Sequence, residues 1–288
     1  MIDYTLKYRD DGILLNADAN LPFIDVTSIQ GLDMPEFRSA ERVREGMDGG
    51  FVDAQYMNAR TIVIAGNVYA DPTNAGMFLS QLKANFAPSK TAQPLYFSLP
   101  GLGDLILFCK SLGVKYDLDT LISSGMSAIQ IQLKAEDPNM YSGIEISRTV
   151  SLGDATAKVG RGYDKSYAYG YGSTDATAPG IMQLEVNGTK NTTGIIRLEL
   201  VSQPVVYNDS VNKRLALATT IVPGNYLDLD LRNRSVMFNG GMNKGYDILP
   251  GSQWFDLSPG VNYLRITGGV VQGGTRPKMT VTYRNAYY

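Results

Sequence analysis

Residues Met126 to Glu136 read MSAIQIQLKAE, and their order decides the fold class. Ile129, Ile131, Leu133 and Ala135 fall on one side of an extended chain, Gln130, Gln132, Lys134 and Glu136 on the other. That period-two alternation is the pattern of a half-buried antiparallel strand. The same period recurs on both sides of it. In Arg60–Tyr69 the residues Ile62, Ile64 and Val68 share a face, and in Lys278–Arg284 Met279, Val281 and Tyr283 do. Shorter candidates lie at Ile13–Asn16, Phe23–Ile29, Leu95–Leu99, Ile195–Leu200, Arg214–Ala218 and Val261–Ile266, separated by turn pairs such as Asn187-Gly188, Asn239-Gly240 and Pro259-Gly260. The chain is therefore mainly β.

One helix interrupts the strands. Asp71-Pro72-Thr73 offers a capping side chain and a first-turn proline, Phe78, Leu82 and Phe86 recur every four residues, and Pro88 ends the pattern. A second candidate, Glu36–Gly46, is charged nearly all round and reads equally as an exposed loop. The turn at Asp137-Pro138-Asn139 closes a well-formed strand and predicts two domains, 1–137 and 138–288, a division that 288 residues easily support.

Composition excludes several kinds of function. With 44% hydrophobic and 19% charged residues the chain folds. Its 26 basic and 28 acidic side chains nearly cancel, so no large electrostatic term favours nucleic acid or anionic membranes. The amino terminus has no signal-like segment and no apolar run is long enough to cross a bilayer, which predicts synthesis in the cytoplasm without membrane insertion. Histidine is absent, removing the commonest general base and zinc ligand, and the lone Cys109 excludes a disulfide framework. Cys109 sits in DLILFCK, a buried-strand context where a thiol acts as a small hydrophobe. No enzyme, cofactor or metal site is expected.

A few residues invite binding chemistry. Trp254 and Phe255 are adjacent in SQWFDLSPGVN, so at least one of them enters the core; Trp254 is either an anchor there or an exposed stacking platform. Tyr163, Tyr167, Tyr169 and Tyr171 lie in a glycine- and alanine-rich stretch that reads as a subunit-contact loop or, alternatively, as a glycan platform. Asp228 and Asp230 share a strand face and are candidates for calcium or a carboxylate pair, although a solvated face is the commoner meaning. Pro100-Gly101-Leu102-Gly103 and Gly160-Arg161-Gly162 lack the continuation of a phosphate loop and read as turns. Sequons at Asn187, Asn191, Asn208 and Asn233 suit surface turns.

The order of these features resembles the siphophage distal tail proteins. The pieces that carry the resemblance are Gly31-Leu32, Asp48-Gly49, Tyr56 and Arg60 leading into RTIVIAGNVY, the helix, FSLPG at Phe97–Gly101 and KAEDPNMYS at Lys134–Ser142. They continue with GYDKSYAYGYG at Gly162–Gly172, LEVNG at Leu184–Gly188, LDLDLRNRSVMFNG at Leu227–Gly240 and Ser252–Asn262, closing on VTYRNAYY. The segment IRLELVSQPVVYNDS fits only loosely. The resemblance implies an N-terminal tail-tube-like β-sandwich or split barrel with one helix and a C-terminal galectin-like β-sandwich. It further implies a hexameric ring in the virion tail tip, partnered by tail tube, tape-measure and tip proteins. The alternative function is a carbohydrate-binding module recognising the host cell wall, with a carboxylate glycosidase a distant third.

Overall fold

The computed structural model describes residues 6–16, 21–71, 73–99, 101–152, 180–271 and 276–288. Contacts divide the chain into Met1–Gly143, with Tyr288, and Ile144–Tyr287.

In the first unit, β1 (Leu6–Tyr8), β2 (Leu14–Leu15) and β3 (Phe23–Gln30) precede an arm of four short strands. These are β4 (Phe37–Arg38), β5 (Glu41–Val43), β6 (Gly50–Val52) and β7 (Tyr56–Met57). After them come β8 (Arg60–Tyr69), helix α1 (Ala75–Asn85), β9 (Gln93–Leu99), β10 (Gly103–Tyr116), helix α2 (Leu118–Ser124), β11 (Met126–Ala135) and β12 (Met140–Ser142). The main sheet runs β2-β1-β9-β10-β11-β8-β3, and β12 adds to β10. The stretch that decides the fold is its centre: β11 lies antiparallel between β8 and β10, with Ile131 opposite Ile64 and Val114. Ile62, Ile64, Ile131 and Leu133 are buried on one face, and Phe78, Leu82 and Phe86 of the α1 stripe are buried as well, as an amphipathic helix packed on a sheet requires.

Three expectations need correction here. Among the described residues two α-helices are present, not one: Asp117 caps α2 by accepting from the amides of Asp119 and Thr120, and Gly125 ends it in a left-handed conformation at φ 72°. Asp71 does not cap α1 directly. Its Oδ1 accepts from the Thr73 amide and hydroxyl, making a tight turn one residue ahead of the N-cap Asn74. The Asp137-Pro138-Asn139 turn lies inside the first unit, because Asp137 accepts from the Asn139 amide and the Tyr141 hydroxyl and directs the chain into β12 against β10. The division falls at Gly143/Ile144 instead.

The second unit is built from two sheets. One runs β13 (Ile146–Ser151), β22 (Lys278–Tyr283), β15 (Gly194–Glu199), β18 (Tyr226–Asp230), β19 (Ser235–Phe238), β20 (Met242–Asn243). The other runs β14 (Gly180–Val186), β21 (Gly260–Val270), β16 (Val201–Asn208), β17 (Lys213–Ala216). Both contribute to one core that includes Ile196, Leu198, Leu229, Val281, Val206, Leu264 and Ile266. The loosely fitting segment at 196–210 is where the chain changes sheets. Leu200, at φ 58°, forms the corner between β15 and β16, and a register shift between Ser202 and Val205 accommodates Pro204 inside a strand.

Candidate interaction surfaces

The arm is the most exposed apolar feature of the first unit. Among the described residues its strands pair only with one another: Phe37 opposite Met57, Arg38 opposite Tyr56, and Arg42 opposite Phe51. The Asp53 amide donates to Ala40 O and the Asn58 amide to Glu36 O, so single backbone bonds link the two strand pairs and join the inner pair to the base. Met34, Phe37, Met47, Phe51, Val52 and Tyr56 are all exposed, Met47 to 74%. Arg44 stacks 4.3 Å from the Phe51 ring centre, and Arg42 meets Asp53 at 3.5 Å. An isolated two-stranded ribbon is marginal in water, and apolar side chains placed on it gain nothing until another surface covers them.

The base of the arm is fixed from inside. Arg60, 3% exposed at the head of β8, donates from Nη1 to the carbonyl oxygens of Leu32 at 2.8 Å and Gly31 at 3.4 Å. One side chain thus ties the start of the arm to its end. Gly31 is required there, with φ 87° and a Cβ position only 2.0 Å from Thr61 O. Nε and Nη2 of Arg60 are buried without a hydrogen-bond partner. Burial lowers its pKa, against the opposing influence of Cys109 and Asp33.

Sequence reasoning gave Glu36–Gly46 as a charged helix or a loop, and the structure makes it half of a β-ribbon. The signal was the Asp48-Gly49-Gly50 turn, with Gly49 at φ 93°, between two short runs of branched and aromatic residues.

In the second unit the segment Ser252–Asn262 is a strap over the sandwich. Phe255 and Leu257 are sealed in the core and Trp254 is half-buried, packed against the same core. Asn262, fully buried, holds the turn: its Oδ1 accepts from the Ser258 amide and its Nδ2 donates to the carbonyls of Ser258 and Gly260. Thr192 and Leu257 exchange backbone bonds at 2.8 Å beside that turn, and the Gln253 amide, donating to Arg214 O at 2.7 Å, anchors the other end.

The remaining candidates resolve into structural duties or fall outside the described residues. Asp228 forms a two-pronged pair with Arg197, at 2.8 and 2.9 Å, while Arg197 also lies 4.0 Å from the Tyr226 ring centre. Asp230 instead accepts from the amides of Arg232 and Asn233 and closes the β18–β19 turn. The two carboxylates therefore do not converge, and among the described residues no cluster has the makings of a metal site. Pro100 aside, the Gly101–Gly103 stretch is the β9–β10 turn, with Leu102 N donating to Leu99 O. Asn208 corrects the reading of its sequon as a surface turn, since it is fully buried and accepts from the Ser210 amide. Tyr163, Tyr167, Tyr169, Tyr171 and the Gly160-Arg161-Gly162 turn lie outside the described residues. Cys109 is buried in β10, where desolvation pushes its thiol up to about 12.

Comparison with known proteins places this architecture. Residues 187–287 match the family described as siphovirus-type tail component, C-terminal domain. No curated protein sequence matches the chain. Among solved structures, the Dit protein of phage SPP1, described as a paradigm of the hub adsorption apparatus of phages infecting Gram-positive hosts, matches with a TM-score of 0.67 at 16% identity. That match covers 99% of each chain. The baseplate of phage P2 in its activated conformation with calcium matches at 0.55 and 9% identity over 97% of each chain. Residues 187–287 are thus similar to the C-terminal domain of the siphovirus-type tail components, on a chain whose fold is similar to that of the SPP1 Dit protein over 99% of its length.

Proposed function

We propose that this chain is a structural hub of a siphophage tail tip, a distal tail protein whose copies close into a hexameric ring joining the tail tube to the host-recognition apparatus. The end-to-end fold shared with a hub protein carries the proposal. The exposed arm supports it independently, because a repeated head-to-tail contact is how identical chains close a ring, and Phe37, Phe51 and Val52 supply apolar area for one. Tail tube, tape-measure and tip proteins are the partners such a ring meets, and the virion tail is its place. The reading requires no reaction centre.

Light scattering on the purified chain tests it. The expected particle has six times the 31.4 kDa chain mass, and replacing Phe37 and Phe51 together by serine leaves a folded monomer. A wild-type chain that stays monomeric alone and with its tube and tip partners would refute the ring.

A further inference from the structure

A ring of identical chains closes through a head-to-tail contact, so each chain carries two unlike patches, one that reaches out and one that receives. On the ring reading above the arm reaches out, and its receiver lies on the same chain at a place the arm does not cover. The sheet of the first unit keeps two such places apart. The arm springs from the Arg60 end of β8, between Gln30, which pairs with Val63, and Arg60 itself. β8 is ten residues long, so its Tyr69 end stands about 30 Å away. Helix α2 sits at that far end, where the Ala70 amide donates to Gly125 O at 3.0 Å and Met126 pairs with Tyr69.

This far end is apolar towards solvent. α2 buries Leu121 but exposes Leu118 to 46% and Ile122 to 54%, one turn apart on a single face, whereas an amphipathic helix turns such a stripe inward. Met126, exposed to 42%, stands in a row with Tyr69 and Phe23, whose rings stack at 4.7 Å. Ile24, Val68 and Ser127, one residue along each strand, are buried, so the row lies on the sheet face away from the core. The other large apolar side chains exposed in residues 6–143 outside the arm, Leu14, Leu21, Met77, Leu102 and Leu112, sit on separate elements, as scattered surface residues do. Rim charges suit the arm: Asp117 and Asp119 flank Leu118, and the arm brings Arg44 over the Phe51 ring at 4.3 Å and Arg38 over Tyr56 at 6.0 Å. Each rim also holds the other sign, Lys115 ahead of α2 and Glu45 and Asp48 near the arm's tip, so mixed charge meets mixed charge.

We propose that this end of the sheet is the receiver, an assignment that rests on the ring reading: Phe37 and Phe51 on the arm of one copy pack on Leu118, Ile122 and Met126 of the next. Each contact removes from water two apolar surfaces that the isolated chain leaves exposed. The separation along β8 turns each arm to its neighbour's receiver, so the contact passes from chain to chain in one sense, as closure of a ring requires.

Two full-length variants test it by light scattering. Leu118→Ser with Ile122→Ser removes the receiver and keeps the arm; Phe37→Ser with Phe51→Ser does the reverse. Each alone is expected to stay monomeric. Mixed in equal amounts at rising concentration, they are expected to form a saturable pair of twice the 31.4 kDa chain mass, because one working arm and one working receiver meet and growth stops there. Ile122→Lys alone, scored the same way, covers the case in which the double change unfolds α2. A receiver variant that still forms the wild-type particle overturns the proposal while leaving the ring intact, and gives the stripe to another tail protein. Two folded, monomeric variants that never pair overturn it as well, since arm and stripe then serve different contacts. A wild-type chain that is itself monomeric refutes the ring and the receiver together, a result distinct from the other two.

Discussion

Two short, irregular segments with similar apolar content have opposite fates in this molecule. On the arm, Phe37, Phe51, Val52 and Tyr56 stand in solvent, while on the strap Phe255 and Leu257 disappear into the core and Trp254 packs against it. The difference lies in what each segment crosses. The strap lies on the core of the second unit, and Asn262 at one end and Gln253 at the other fix it. The arm is fixed only at its base, by Arg60, and extends beyond the sheet. Apolar residues on an element of the first kind stabilise the fold; on one of the second kind they are available for association.

The contrast breaks most readily at the strap. Phe255→Ala leaves a cavity in a sealed core and should destabilise the second unit by about 3–5 kcal/mol, read as a lower denaturation midpoint in guanidinium. A change under about 1 kcal/mol would mean that the strap is as loosely held as the arm.

Alkaline pH sharpens the comparison between the units. Cys109 in the first unit has a pKa raised from 9.0 to about 12, so the native state keeps a proton that the unfolded chain loses. Its contribution is complete below pH 9 and is lost as pH rises towards 12, at about 1.4 kcal/mol per pH unit within that window. Tyr8, raised by burial against the lowering effect of Arg9, works in the same direction. In the second unit Tyr283 is also raised by burial. Denaturant midpoints between pH 9 and 11 should therefore fall, and Cys109→Val should flatten the fall in the first unit only.

Smaller effects belong to the surface. Arg197→Ala removes the pair with Asp228 on a half-exposed sheet face, and about 0.2–1 kcal/mol is expected, shrinking in high salt. Smallest of all, Phe37→Ser with Phe51→Ser should change the stability of the monomer by no more than about 0.5 kcal/mol, although the same pair of changes abolishes assembly. A large loss of monomer stability would show that the arm packs on its own chain.

Much of the fold was legible because alternation is local. Arg60–Tyr69 forms β8 over the predicted residues, Met126–Ala135 forms β11, and the Phe78/Leu82/Phe86 stripe is buried. The short helix α2 was missed although Asp117 and Gly125 mark both its ends, because seven residues with one buried leucine give no periodic stripe. The arm was misjudged for a related reason: alternation reports a buried face, and the arm has none. Asp228 and Asp230 looked equivalent two residues apart, yet one faces a cross-strand arginine and the other a turn, a distinction set by register.

The sequence by itself determined that the chain is mainly β, that it lacks histidine chemistry, and where its strongest strands and main helix lie, since these follow from side-chain type and spacing along a few residues. Only the tertiary structure decided that Leu200 turns the chain from one sheet to the other and that Arg60 clasps the arm. Those outcomes depend on which strands become neighbours, a choice made by packing between residues far apart in the chain.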